Sequence, residues 1–98
     1  EKMYTTIDDD GVNVLQEIYQ HNPSMCIQLE RLSRTNKQNL MAASGADPEL
    51  YNKIMQKLTA GLFVQYDGYD IIPTQRFRLG MSKINRDGNI HRVGEYDA

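Results

Sequence analysis

Asp47-Pro48-Glu49, followed by apolar residues at four-residue spacing, constrains this chain more than any other segment. Asp47 suits an N-cap because its carboxylate can accept a backbone N–H that has no helical partner. Pro48 fits the first helical position, where a missing N–H costs nothing, and Glu49 suits the positive helix end. Leu50, Ile54, Leu58 and Leu62 then recur every fourth residue, with Tyr51 and Met55 on the flanks. The spacing predicts an amphipathic helix over 47–60 with Leu58 at the centre of its buried stripe. Gly61 is expected to cap it with positive φ, because the chain must reverse at once into Phe63.

Beyond Gly61 the pattern turns to strand. Residues 63–66 (Phe-Val-Gln-Tyr) and 69–72 (Tyr-Asp-Ile-Ile) are β-prone, and Asp67-Gly68 is a tight-turn pair. Pro73 interrupts. Gln75 to Leu79 alternates, with Phe77 and Leu79 on one side and Arg76 and Arg78 on the other. Strand 63–66 can therefore pair with 69–72 through the Asp-Gly turn, or with 75–79 across a longer loop. Gly80 ends the pattern. A further hairpin at Asp87-Gly88 would join Ile84 to Ile90 and Val93; the alternative is a tail.

Upstream, Asp8, Asp9 or Asp10 can cap a first helix carrying Val12, Leu15, Ile18 and Tyr19. Asn22-Pro23 ends it, since the residue before proline is pushed out of helical geometry. Ser24 can cap a second helix with Met25, Leu29 and Leu32, although a short extended piece at Met25 to Ile27 is an alternative. Thr35-x-x-Gln38 reads as a capping box leading into Leu40 and Met41, and Gly45 stops that segment. Residues 24–45 thus hold two short helices, or one longer helix broken near Thr35.

A chain of 98 residues with 40% hydrophobic content suits one domain with a modest core. There is no apolar run near the roughly 18 residues that a membrane span needs. No charged-then-apolar leader opens the chain, which gives secretion no support, and the start at Glu1 fits a processed or excised piece. The single cysteine, Cys26, can form neither an internal disulfide nor a thiolate metal site by itself, and it reads as a small buried hydrophobe in a reducing, cytoplasmic setting. The formal net charge is −2, but its distribution is uneven. Between residues 23 and 92 ten Lys or Arg face six Asp or Glu, a local excess of +4 between acidic ends. That balance permits nucleic-acid binding without demanding it.

Catalytic and metal-binding patterns are missing. There is no Gly-x-Ser-x-Gly, phosphate-loop glycine pattern, His-Glu-x-x-His or Cys-x-x-Cys, and His21 and His91 stand at opposite ends of the chain. His21 reads as a residue at a helix C-terminus. The expectation is a protein that is not an enzyme and uses no cofactor or metal.

The stretch LMAASGADPELYNKIMQKLTAGLFVQYDGYDIIPTQRFRLG, residues 40–80, resembles winged helix-turn-helix regulators at superfamily level. Leu40, Ala43, Gly45, Leu50, Ile54, Leu58, Gly61 and Leu62 occupy the places of a short helix, a turn, a second helix and a Gly-Leu step into the wing. Residues 12–32 follow the pattern loosely, and the segment 24–45 is longer than usual. The resemblance implies an α+β, mostly helical fold with three to four helices and a two- or three-stranded antiparallel wing. It would occupy residues 8–80, with 81–98 as tail or extra hairpin. It further implies a duplex-DNA-binding transcriptional regulator with helix 47–60 in the major groove and hairpin 63–79 as wing. Such proteins commonly dimerise to match two half-sites, and the first helix and the chain from Met81 onward would supply that contact.

At about 100° per residue, Asn52 and Gln56 point away from the Leu50–Ile54–Leu58 stripe, with Glu49 and Thr59 beside them and Lys53 on the flank. Asn and Gln match the adenine edge, Thr can meet a thymine methyl, and these four residues are the candidate base contacts. Lys53, Lys57, Arg76, Arg78, Arg34 and Lys37 are the candidate phosphate contacts. Tyr66 and Tyr69, beside the expected turn, could be stacking residues or partner-facing anchors. The rival reading is a winged-helix protein-docking module without a DNA role, favoured by the net negative charge and by Glu49 at the helix start.

Overall fold

A computed structural model describes residues 2–84. Local capping chemistry sets most of its helix ends. After a short α1 (Lys2–Thr5), Asp8 opens α2 (Asp9–His21) by accepting from the Gly11 N–H at 2.8 Å. Asn22 serves two helices. Its N–H donates to the Ile18 carbonyl at the end of α2, and its side-chain oxygen accepts from Met25 N–H at the start of α3 (Pro23–Arg31). Asn22, and not Ser24, is thus the cap; Pro23 takes the first helical position, and residues 25–27 are helical.

The next stretch resolves into a two-residue strand β1 (Thr35–Asn36) and a helix α4 (Lys37–Ser44). Here too an asparagine caps: Asn36 Oδ1 accepts from Asn39 N–H at 2.9 Å. Thr35, expected to open a capping box, is instead buried in the sheet opposite Ile71. Gly45 closes α4 in the left-handed region at φ 69°. Asp47 then caps α5 (Pro48–Ala60) through the Leu50 N–H at 2.8 Å, with Pro48 in the first turn, as the sequence indicates.

The end of α5 departs from expectation. Gly61 has φ −85°, and Leu62 takes the left-handed conformation at φ 63°. The hydrogen bonds explain the one-residue offset. Phe63 N–H reaches back to Leu58 C=O and Leu62 N–H to Thr59 C=O, the paired bonds of a Schellman closure with Leu62 just past the cap. Thr74 fixes the corner from outside, its hydroxyl donating to Leu62 C=O and its N–H to Phe63 C=O. Gly61 is needed for space: a Cβ there would come within 2.5 Å of the Phe63 ring.

Strand β2 (Val64–Asp67) turns at Gly68-Tyr69 into β3 (Asp70–Pro73). The tight-turn pairing is therefore the one formed, with Tyr66 opposite Ile71 and Asp67 opposite Asp70. Gly68 at φ 64° holds the first turn position, where only glycine is unstrained. With β1 on the other side of β3, the antiparallel sheet runs β1-β3-β2.

Residues 75–79 are not a strand. Thr74 caps a sixth helix, α6 (Gln75–Met81), by accepting from Phe77 N–H. Phe77, Met81 and Ile84 are all buried, at the i, i+4, i+7 spacing of a helical face. Five alternating residues are too few to tell the two periods apart. The described residues thus hold six helical segments, more than the three to four expected, and the packed unit runs beyond Gly80 because Met81 and Ile84 belong to the core. The hairpin considered at Asp87-Gly88, and His91, lie outside the described residues.

One core joins these elements. Leu15 and Ile18 of α2, Met25 and Leu29 of α3, Ile54 and Leu58 of α5, Phe63, Ile71 and Phe77 are all essentially inaccessible, as is Cys26. No described helix is long and apolar enough to cross a membrane. The fold is α+β and mostly helical.

Candidate functional site

The side of α5 turned from the core carries the residues singled out as base contacts. Tyr51, Ile54, Met55 and Leu58 are buried, whereas Glu49, Asn52, Lys53, Gln56 and Thr59 are exposed and Lys57 is half-buried. A three-residue turn, Gly45 to Asp47, connects this helix to α4, whose first residue, Lys37, lies with its Nζ 5.7 Å from the centre of the Tyr51 ring.

The hairpin faces the same helix. Directly opposed residues in an antiparallel pair share a face, so Thr35, Ile71 and Tyr66 form one row across the sheet. The inner part of that row is core. Its outer end, Tyr66, projects past the core and is 53% exposed. Between α5 and the hairpin lies an open groove of about 700 Å³. Asn52, Gln56 and Thr59 line one wall, Tyr66 and Tyr69 the other, and Tyr51, Met55 and Ile71 the floor, with Lys37 at the edge. Burial, and then the neighbouring Tyr66, push the Tyr51 phenol up to about 12, so it stays a neutral part of that floor.

Among the described residues, Lys37 is the only charged one lining the groove, and no carboxylate lines it. The hairpin does carry two acids, Asp67 and Asp70, one residue along from Tyr66 and Ile71 and hence on the opposite face. They oppose each other across the ladder, where like charges repel. Arg34 offsets this: one guanidinium nitrogen, Nη1, donates to Asp67 at 3.1 Å and to Asp70 at 2.8 Å. Both bonds strengthen the guanidinium's hold on its proton. Arg34, expected at phosphate, is thus engaged by the hairpin's own acids.

Arg76 and Arg78 do not lie on the hairpin. Both sit on α6, which packs on α1, α2 and α3. Arg76 donates to the carbonyls of Gly61 at 2.7 Å and Thr6 at 3.0 Å and stacks over the Phe63 ring. Arg78 reaches the Glu30 and Leu32 carbonyls, each at 3.4 Å. These contacts tie α6 to the body of the domain. Of the six expected phosphate contacts, Lys37 alone is among the described residues lining the groove; Lys53 and Lys57 lie on α5 outside that lining, and Arg34, Arg76 and Arg78 serve internal contacts.

The groove floor escaped sequence reasoning because it exists only once the hairpin chooses which face to turn toward α5. The Asp67-Gly68 signal pointed to this hairpin but to a turn that would set Tyr66 opposite Tyr69; the turn forms one residue later, at Gly68-Tyr69, and sets Tyr66 opposite Ile71. Comparisons with protein-family models, curated proteins and solved structures return no match.

Proposed function

We propose that this chain is a winged helix-turn-helix domain that binds duplex DNA, as a transcriptional regulator or the DNA-binding part of one. In this reading α4 and α5 are the helix-turn-helix, α5 enters the major groove, and β2–β3 is the wing. The observation that carries it is the groove itself. Among the described residues no carboxylate lines the groove, and its polar lining is two amides, a threonine hydroxyl and a lysine. The order of α4, α5 and hairpin, and the β1-β3-β2 sheet, suit this reading. An α-helix fits the roughly 12 Å width of the major groove, and α5, with 13 residues, is roughly 20 Å long. Asn52 and Gln56 then face base edges, where amides pair with adenine, and Lys37, Lys53 and Lys57 meet phosphates. A dimer would suit a two-half-site operator.

The test is fluorescence anisotropy with random duplex DNA across a salt series. Three phosphate contacts give a log–log slope of about −2.7, at 0.9 per contact. Asn52→Ala with Gln56→Ala should flatten discrimination between a selected and a random site and leave that slope in place.

One observation favours a protein-docking module instead. Outside the groove the start of α5 carries Asp47 and Glu49, which phosphates would repel, and Tyr69, a residue type enriched at protein interfaces, is 96% exposed at the hairpin tip. Wild-type protein that binds no duplex at low salt would overturn the DNA reading and favour docking.

A further inference from the structure

The hairpin carries no lysine or arginine. From Val64 to Pro73 its only charged residues are Asp67 and Asp70, both held by Arg34. What the hairpin presents toward the groove is aromatic: Tyr66 on the wall and Tyr69 at the tip. Tyr69 is almost wholly solvent-accessible, and it follows Gly68, which has no side chain to shield it. Exposing a ring this fully leaves its apolar surface in water with nothing gained inside the fold.

We infer that Tyr66 and Tyr69 grip a sugar–phosphate strand of DNA by ring contact, so that the hairpin adds affinity without adding salt dependence. This rests on the DNA reading and specifies how the hairpin acts in it. The groove has the chemistry for one strand: Lys37 for a phosphate, two rings for the apolar faces of deoxyribose or base, and amides across from them for base edges. Strand alternation places the paired carboxylates on the far face of the hairpin, and Arg34 offsets their charge there.

The two kinds of contact separate in a salt series. Removing a cation that meets phosphate flattens the slope by about 0.9, whereas removing a ring contact shifts affinity at every salt concentration alike. Tyr69→Ala is suited to the test because so exposed a side chain contributes little to folding, and circular dichroism verifies that the fold is kept. The probe is one fluorescein-labelled duplex, with its single strand as a second arm. The expected result is duplex binding weakened about 10-fold in Tyr69→Ala, the order expected when an apolar ring contact worth roughly 1.4 kcal/mol is lost. The slope should stay unchanged, and Tyr69→Phe should retain most of the affinity. Tyr69→Arg should steepen the slope by about 0.9. Wild-type binding that neither Tyr69→Ala nor Tyr66→Ala weakens would overturn this inference and leave the DNA reading standing. Tighter binding of the single strand than of the duplex would also overturn it. Failure of the wild type to bind either probe would overturn the DNA reading and this inference together.

Discussion

Replacing Gly61 with alanine should destabilise the fold through Phe63, and not through backbone strain. At φ −85° an alanine is unstrained, and fixing a more flexible glycine would by itself stabilise by about 0.4–1 kcal/mol. The added Cβ, however, would stand 2.5 and 2.8 Å from two ring carbons of Phe63. That ring cannot swing away freely: it is fully buried, and the Arg76 guanidinium lies 5.2 Å from its centre, anchored to the Gly61 carbonyl. Overpacking of this kind costs about 1–3 kcal/mol, which leaves a net loss centred on about 1.3 kcal/mol and at most about 2.6 kcal/mol. For a domain this small the melting temperature should fall by roughly 4–8 °C per kcal/mol. Thermal melts followed at 222 nm would measure it, in wild-type and Phe63→Leu backgrounds. A smaller aliphatic side chain at 63 should relieve most of the penalty. Equal penalties in the two backgrounds, or a rise in melting temperature on Gly61→Ala, would refute the clash.

Leu58→Ala should cost about 2–5 kcal/mol in urea unfolding, since Leu58 is wholly buried at the centre of the α5 stripe. Arg34→Ala should loosen the hairpin by leaving Asp67 and Asp70 opposed, seen as faster amide exchange at residues 65–72, and Asp70→Asn in the same chain should restore protection. The Tyr51 phenol keeps its proton up to about 12 in the fold but only to about 10 when unfolded. Its contribution is therefore complete below about pH 10 and is lost as the pH climbs toward 12, and Tyr51→Phe should remove that part of the alkaline loss in a stability–pH profile.

Several features decided by neighbours in sequence were legible there, although the caps of α3 and α4 are Asn22 and Asn36 and not Ser24 and Thr35. Asp47, Pro48 and Glu49 act within one turn of the helix they start, and the stripe of α5 turns Asn52, Gln56 and Thr59 outward whatever the helix packs against. Other features that escaped depend on distant partners. β1 is two residues long and exists only because β3 pairs with it. The left-handed residue after α5 is Leu62 and not Gly61 because Thr74 and Phe63 fix the corner. Helix α6 looked like a strand because Arg76 and Arg78 alternate with Phe77 and Leu79 over too short a span; the Thr74 cap and the Phe77–Met81–Ile84 spacing were the better signal. That misreading carried both arginines onto a wing from which they are absent. The groove, which combines a legible helix face with an illegible choice of sheet face, was visible in one wall only.

Mapping by nuclear magnetic resonance would place the interface on the molecule directly. Backbone amide shifts would be followed while duplex DNA is titrated into the protein at low salt. The expected result is a contiguous set of perturbed amides on the outer side of α5, around residues 52, 56 and 59, and on the hairpin around residues 66–69, with Lys37 between them and little change along α6. Perturbations centred on Arg76 and Arg78, or no perturbation at any DNA concentration, would contradict the groove as a DNA-binding site.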